Sequence, residues 1–397
     1  MVKEITPFSP EEARRYLGDA EVAALACAAA VAIRSGSARA LVGIDSPEEF
    51  RRKAAFAASV QGLAPRLAAL PDLDLLPPDL RLHLEGEARR CAERGARILR
   101  LLDRVGSALA AEGIRALPLK GSALLLRGEI PAELRPMADL DLLLDSEADV
   151  RRAAGLLTAG LGYRVLWNTG RHLVLAEEHE AVPLWACEHP GNPLRIELHR
   201  SFRLDLLGTV LDATSELRIA TEEIGGREVP TREALAHHLL FHAAEDFAAK
   251  GLRGVQAVDF LVLARRHGSL PIPEPPKGGR APLLFAVDAV ERLFPGSFDR
   301  AGVDRLAAGI PAALRARAAA IPVLRHSRPD RGWTGTSLSL IGGAVSKVRF
   351  LVRTLLPPLA EVKANVAPGA AGPALAAAWA KVLARRAASG VWRLIGR

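Results

Sequence analysis

The sequence predicts an α+β protein, in which a small mixed β-sheet flanked by helices is followed by a C-terminal α-helical domain. Three observations carry this. Met137–Leu144 is an apolar run that carries Asp139 and Asp141 on either side of one leucine, and Leu194–His199 alternates polar and apolar residues as a half-buried strand does. Helical patterns with capping residues lie between and before them. After Pro230 the alternation gives way to long stripes of helical period.

In chain order, residues 1–80 read as helices broken by prolines. Ser9-Pro10-Glu11-Glu12 and Ser46-Pro47-Glu48-Glu49 each give a serine cap followed by a proline in the first turn. Pro71, Pro77 and Pro78 punctuate a loop, and nothing in this segment suggests chemistry. From about Leu80 to Glu112 the apolar residues Ile98, Leu101, Leu102 and Val105 fall at helical spacing, and Gly113 ends the run. A strand is expected at residues 114–119, a short helix at 122–126, a loop at 128–136 and the acidic strand at 137–144. Ser146 opens a helix to about Ala159, which stops at Gly160-Leu161-Gly162. Strands are expected at 163–167, 171–176 and 194–199, and Gly225-Gly226 reads as a hairpin turn. A helical region starts at Thr231-Arg232-Glu233. A linker follows at 271–276, and then further helices broken at Pro322, Pro329, Pro357 and Pro373. These breaks predict a helical N-terminal segment (1–80), the sheet domain (81–230) and a helical C-terminal region (231–397).

Composition sets wide bounds. The chain has 397 residues, 49% hydrophobic and 25% charged, as in an ordinary globular protein of two or three domains. Its net charge of +8 suits an anionic ligand, and arginine outnumbers lysine. Three widely spaced cysteines, Cys27, Cys91 and Cys187, argue against a zinc ribbon or a disulfide framework and point to a cytoplasmic setting. The N-terminus lacks a signal-peptide pattern. The apolar run from Val22 to Ile33 is shorter than the ~20 residues a membrane span needs.

The chemistry concentrates around Lys120-Gly121-Ser122 and Asp139-Leu140-Asp141. Residues i and i+2 of a strand share a face, so Asp139 and Asp141 project side by side while Leu140 and Leu142 turn to the core. Two carboxylates so close repel unless a cation lies between them, and oxygen donors suit Mg²⁺. The glycine and serine upstream offer a backbone N–H and a hydroxyl to a phosphate, beside a helix start whose dipole favours anions. The pattern therefore points to metal-dependent phosphoryl or nucleotidyl transfer. The strand 194–199 sets Glu197 and His199 on one face.

Together, Lys120-Gly121-Ser122, Leu134-Arg135-Pro136-Met137-Ala138-Asp139-Leu140-Asp141, the helix ending at Gly162-Tyr163, and Ile196-Glu197-Leu198-His199 resemble the nucleotidyltransferases of the DNA-polymerase-β superfold. The resemblance is strongest to their uncharacterised bacterial branch, the NTP-transferase type 5-like family. His238–His242 and Val258-Asp259-Phe260 resemble that branch's helical part, and the similarity covers roughly residues 90–360.

The resemblance implies that Asp139, Asp141 and Glu197 hold two Mg²⁺ ions, with Glu197 as third carboxylate and candidate base. Gly121 and Ser122 would bind the β- and γ-phosphates of an NTP. Lys120 and Arg135 would neutralise charge as pyrophosphate leaves. The acceptor would be a hydroxyl or phosphate on a sugar, peptide or protein. The gap between Ser122 and Asp139 is longer than in many members of the superfold, and Glu177, Glu178 and Glu188 are rival third carboxylates. The alternative is a non-catalytic module of the same fold that binds a partner as an antitoxin or assembly factor does.

Two further features read more weakly. His238, His242 and Glu245 share a helix face without a His-Glu-x-x-His motif, which suits packing or a substrate contact better than a metal. The tail from Val345 carries nine Lys/Arg against Glu361 alone, with Trp379 and Trp392, as a basic amphipathic helix on an anionic membrane or nucleic acid would.

Overall fold

The computed structural model describes residues 5, 8–17, 19–41, 47–168, 171–179, 189–206, 209–249, 251–275, 279–324, 340–341, 347 and 372–395. The architecture is α+β, with a five-stranded mixed sheet among helices.

The N-terminal helices are α1 (Pro10–Tyr16), α2 (Ala20–Ser35), α3 (Glu48–Val60) and α4 (Ala64–Ala68). The Ser9 hydroxyl accepts from the Glu12 N–H and the Glu12 carboxylate accepts from the Ser9 N–H, so the expected start of α1 is a reciprocal cap. The long helix α5 (Pro78–Ala111) then crosses behind the sheet.

The sheet has the order β1-β2-β5-β4-β3, where β1 is Ala116–Pro118, β2 Asp139–Leu144, β3 Tyr163–Asn168, β4 His172–Glu177 and β5 Arg195–His199. Only β2 and β5 run parallel, with Asp141 paired to Glu197. The helix α6 (Lys120–Leu126) connects β1 to β2, and α7 (Glu147–Leu161) follows β2. Ser146 caps α7 as expected, but the helix runs through Gly160 to Gly162, which takes the left-handed φ of 70° that glycine accepts without strain.

Two strands are shorter than the spans 114–119 and 137–144 expected from the sequence. At β1, the Ile114 N–H returns to the Leu109 carbonyl and wraps the end of α5, which removes it from the ladder. At β2, the carbonyls of Met137 and Ala138 accept from the Arg94 guanidinium at 2.7 and 3.1 Å, so pairing begins at Asp139. The helix expected at 122–126 already starts at Lys120.

One sheet face is sealed. Leu140, Leu142, Leu144, Ile196 and Leu198 pack on Ile98, Leu101 and Val105 of α5 and on Val150 and Leu157 of α7. Burial at this scale, about 1.5–3 kcal/mol for each large aliphatic side chain, fixes the strand register, because a slip by one residue would exchange leucines for carboxylates.

Beyond the sheet come two hairpins and α8 (Thr214–Ile219). The second hairpin pairs Thr221–Ile224 with Arg227–Pro230 across Gly225 and Gly226, whose φ values of 59° and 75° give the expected tight turn. Then follow α9 (Arg232–Ala249), α10 (Gly254–His267), α11 (Arg280–Leu293), α12 (Arg300–Ala307) and α13 (Ala312–Ala319).

A second core joins these helices to the N-terminal ones: Tyr16, Phe56 and Leu63 belong to the same apolar cluster as Phe247, Phe260 and Phe285. Gln61 seats α10 directly. Its side-chain oxygen accepts from the Gly254 N–H at 2.7 Å and its carbonyl from the Val255 N–H at 2.8 Å, satisfying two first-turn donors that α10 itself leaves open.

Among the described residues no single helix is long and apolar enough to cross a membrane. Of the basic tail, Gly372–Ile395 is a helix with Lys381 exposed. Pro373 stands in its first turn. Arg349, Arg353, Lys363, Arg397, Pro329, Pro357, Cys187 and Glu188 lie outside the described residues, as do the side chains of Arg385, Arg386, Trp392 and Arg393.

Candidate active site

The open face of the sheet carries the polar residues. Parallel pairing of β2 with β5 brings Asp139, Asp141, Glu197 and His199 to one face by strand alternation. These four line a cavity of about 390 Å³, within the ~300–1,000 Å³ usual for small-molecule sites. Its opposite wall is helical, with His242, Glu245 and Asp246 from α9 and Gln256, Asp259 and Phe260 from α10. Lys120, Gly121 and Arg135 close one end.

Asp141 is the hub. One of its oxygens, Oδ1, lies 2.6 Å from Lys120 Nζ and 2.9 Å from His199 Nε2. His199 Nε2 also stands 3.5 Å from Glu197 Oε2. Burial raises the Asp141 pKa, but the Lys120 charge and the His199 hydrogen bond outweigh it and hold the carboxyl well below its usual range. Burial likewise opposes the charge on Lys120, which the three acids keep protonated. Burial lowers the His199 pKa, and its bonds to Asp141 and Glu197 more than reverse this. Asp139 makes no hydrogen bond to a cation among the described residues, and the Lys120 charge offsets its surroundings only in part. Burial and then repulsion from Asp141 push its carboxyl up to about 6. His172, with its ring 5.1 Å from that of His199, is driven down to about 4 by burial and then by the His199 charge.

Lys120 takes φ of +47°, a left-handed conformation that costs a side-chain-bearing residue on the order of 1 kcal/mol. This turn swings the ammonium back over β2. Gly121 follows against Arg135: a Cβ on Gly121 would fall 2.0 Å from an Arg135 guanidinium nitrogen and 2.9 Å from the Met137 sulfur. Only glycine lets the guanidinium lie on the turn.

Arg135 is itself held by Asp259 through two hydrogen bonds of 3.0 and 2.8 Å, with the Asp259 side chain 1% exposed. Arg135 thus clamps the turn to α10. Ser122 is placed differently from its neighbours. It is fully buried, absent from the cavity wall, and its hydroxyl has no hydrogen-bond partner among the described residues.

Two of the rival carboxylates, Glu177 and Glu178, go elsewhere. Glu177 accepts from Arg97 at 2.7 Å and from the Leu194 N–H at 2.9 Å, and Glu178 is exposed past the end of β4. On α9 the three residues sharing a helix face separate. His238 is buried against the Phe202 ring at 4.0 Å, His242 stands 3.7 Å from Asp246, and Glu245 pairs with Arg171 at 2.7 Å. His238 is a packing histidine.

Two contributors escape sequence reasoning. His199 was visible as a face-mate of Glu197, but its bond to Asp141 depends on which strand pairs with which. Arg94 is the other. Its buried guanidinium donates to the carbonyls of Met137, Ala138, His189, Asn192 and Pro193, so one side chain aligns the entries to both acidic strands. Contacts to backbone carbonyls leave no local pattern to find.

The donor set fits a divalent cation. Asp141, Glu197 and His199 each offer a ligand atom within 4.8 Å of the others, the one such group among the described residues. With Asp139 alongside, the donors are oxygen-rich and free of sulfur, as hard to borderline divalent ions require.

Residues 48–271 match the model of a family described as uncharacterised nucleotidyltransferase. The matched span includes the whole sheet, the turn at Lys120, and α9 and α10. No curated protein and no solved structure matches the chain.

Proposed function

The chain belongs to the uncharacterised nucleotidyltransferase family, and on that premise we propose that it transfers a nucleoside monophosphate from an NTP to a hydroxyl or phosphate acceptor, releasing pyrophosphate. The observation that carries this reading is the register of β2 on β5, which sets Asp139, Asp141 and Glu197 on one wall of a cavity closed by the Lys120-Gly121 turn.

Asp139, Asp141 and Glu197 are the residues that would hold Mg²⁺. A pair of bound Mg²⁺ ions supplies Lewis-acid charge neutralisation at the reacting phosphate and a lowered pKa for the attacking hydroxyl. The chain's own groups do the rest. Lys120, released from Asp141, places a positive charge on the triphosphate, and the turn at Gly121 brings backbone close to it. Arg135 acts through Asp259 to keep that turn against α10. The wall formed by His242, Glu245 and Asp246 offers both donors and acceptors to an acceptor molecule.

The test is incubation of the purified protein with each α-³²P-labelled NTP, Mg²⁺ and pooled small-molecule or protein acceptors. Labelled product with pyrophosphate release, lost in Asp139→Ala, is the expected result. Absence of nucleotide binding, or turnover unchanged in that variant, would sink the reading.

A second reading, a non-catalytic module that recognises a partner through the same cleft, has one observation in its favour. Asp141 is already neutralised from within by Lys120 and His199. Such a module would retain its phenotype when Asp139 and Glu197 are both replaced.

A further inference from the structure

The donors of the acidic cluster differ on its two sides. Asp139 and Asp141 present oxygen alone. On the other side of Asp141, Glu197 and His199 present one oxygen and one imidazole nitrogen.

The spacing on that second side suits shared coordination. His199 Nε2 lies 2.9 Å from Asp141 Oδ1 and 3.5 Å from Glu197 Oε2. Ligands at right angles on an ion with bonds of about 2.0–2.2 Å sit roughly 3 Å apart. Both strands are anchored at their entries by Arg94, and the sealed leucine face fixes their register, so the donors are held in place before any ion arrives.

We infer that His199 is a ligand, and that the Asp141–Glu197–His199 position takes a transition-metal divalent ion of the Mn²⁺ or Co²⁺ class in preference to Mg²⁺. The inference rests on the divalent-metal reading of the site above and specifies the ion. Mg²⁺ is a hard cation that favours oxygen and water and gains little from imidazole. An imidazole nitrogen adds more affinity for first-row transition ions than for Mg²⁺, least for Mn²⁺ and increasingly toward Co²⁺ and Ni²⁺. The cleft would then hold a mixed pair: Mg²⁺ at the all-oxygen position with the triphosphate, and a transition-metal ion on the His199 side. Neither the two aspartates nor the third carboxylate predicts this asymmetry.

The experiment uses the full-length protein stripped of metal with a chelator. Mn²⁺ is titrated while the free ion is followed by electron paramagnetic resonance, and the bound ion is examined by electron spin echo modulation for coupling to ¹⁴N. The expected result is a Mn²⁺ position that Mg²⁺ displaces only at about tenfold higher concentration or more, carrying an imidazole ¹⁴N coupling. His199→Asn keeps a hydrogen-bond donor near Asp141. It should lose the coupling and narrow the preference to within about threefold. His172→Asn should keep both, which excludes the neighbouring ring as the source.

Mn²⁺ bound through Asp141 without ¹⁴N coupling overturns the inference and leaves the transferase reading standing. So does coupling that persists in His199→Asn. Mn²⁺ that fails to bind, or binds equally to Asp141→Asn, overturns both. The coupling is read first on the unaltered protein, so the result survives a variant that folds poorly.

Discussion

The two faces of strand β2 are built from adjacent residues and do opposite things. Leu140, Leu142 and Leu144 face a sealed core on α5 and α7, where apolar burial sets the register. Asp139 and Asp141, between and beside them, face a cavity where charge is crowded and only partly compensated. The sheet keeps its apolar packing on one side and its ionisable groups on the other. The register connects them: the leucines decide where the carboxylates stand.

This division is open to experiment. The largest effect belongs to the polar face. Asp141→Asn should lower nucleotidyl transfer at least about a thousandfold, or ~4 kcal/mol of transition-state stabilisation, measured as labelled product per folded molecule. Transfer within tenfold of the parent would remove Asp141 from the chemistry.

The apolar face should respond in the other currency. Leu140→Ala, at a fully buried position, should lower stability by about 2–4 kcal/mol in a urea titration while leaving turnover per folded molecule within about threefold. A variant that stays stable but inactive would break the division.

A pH comparison sharpens it. The Asp139 pKa is raised in the fold, so relative to the unfolded chain its contribution is favourable below about 4 and is lost as pH rises through about 6. At pH 7.5 the metal-free parent carries a buried, poorly compensated charge. Asp139→Asn, a mimic of the neutral acid, should therefore stabilise the metal-free protein at pH 7.5 by on the order of 1–3 kcal/mol, and by much less at pH 4.5. Equal gains at both pH values would show that burial and Asp141 do not raise this carboxyl.

The smallest effect is expected at Ser122. Its hydroxyl is buried, unpartnered among the described residues and absent from the cavity lining. Ser122→Ala should change the KM for NTP by less than about threefold and leave stability the same or slightly higher, since the orphaned hydroxyl costs more than it returns. A tenfold rise in KM would place the hydroxyl on the phosphates after all.

The strand pair that carries the acids was legible because the alternation of Asp139–Leu142 and of Leu194–His199 is a local signal. So were the Ser9 and Ser146 caps and the Gly225-Gly226 turn, each decided within a few residues. The partners of the site were not. Asp259 meets Arg135 across 124 positions of sequence, and Gln61 reaches Gly254 across 193. Arg94 spends its charge on carbonyls that any residue supplies. Such pairings are set by how the two cores assemble, and a single sequence carries no periodic trace of them. The family resemblance located the acids but was silent on His199 as a partner of Asp141, because the pattern runs along strands and this bond runs across them.

The Arg135–Asp259 pair also sets where the molecule can be cut. A fragment ending at Pro230 would contain every acidic residue of the cluster and the whole five-stranded sheet, and would look self-sufficient. It would also strand the Arg135 guanidinium against Gly121 with its counter-ion gone and the wall of α10 removed. For protein engineering, the smallest transplantable unit therefore extends through α10. Because Gln61 seats that helix, it also reaches back to α3 and the turn after it.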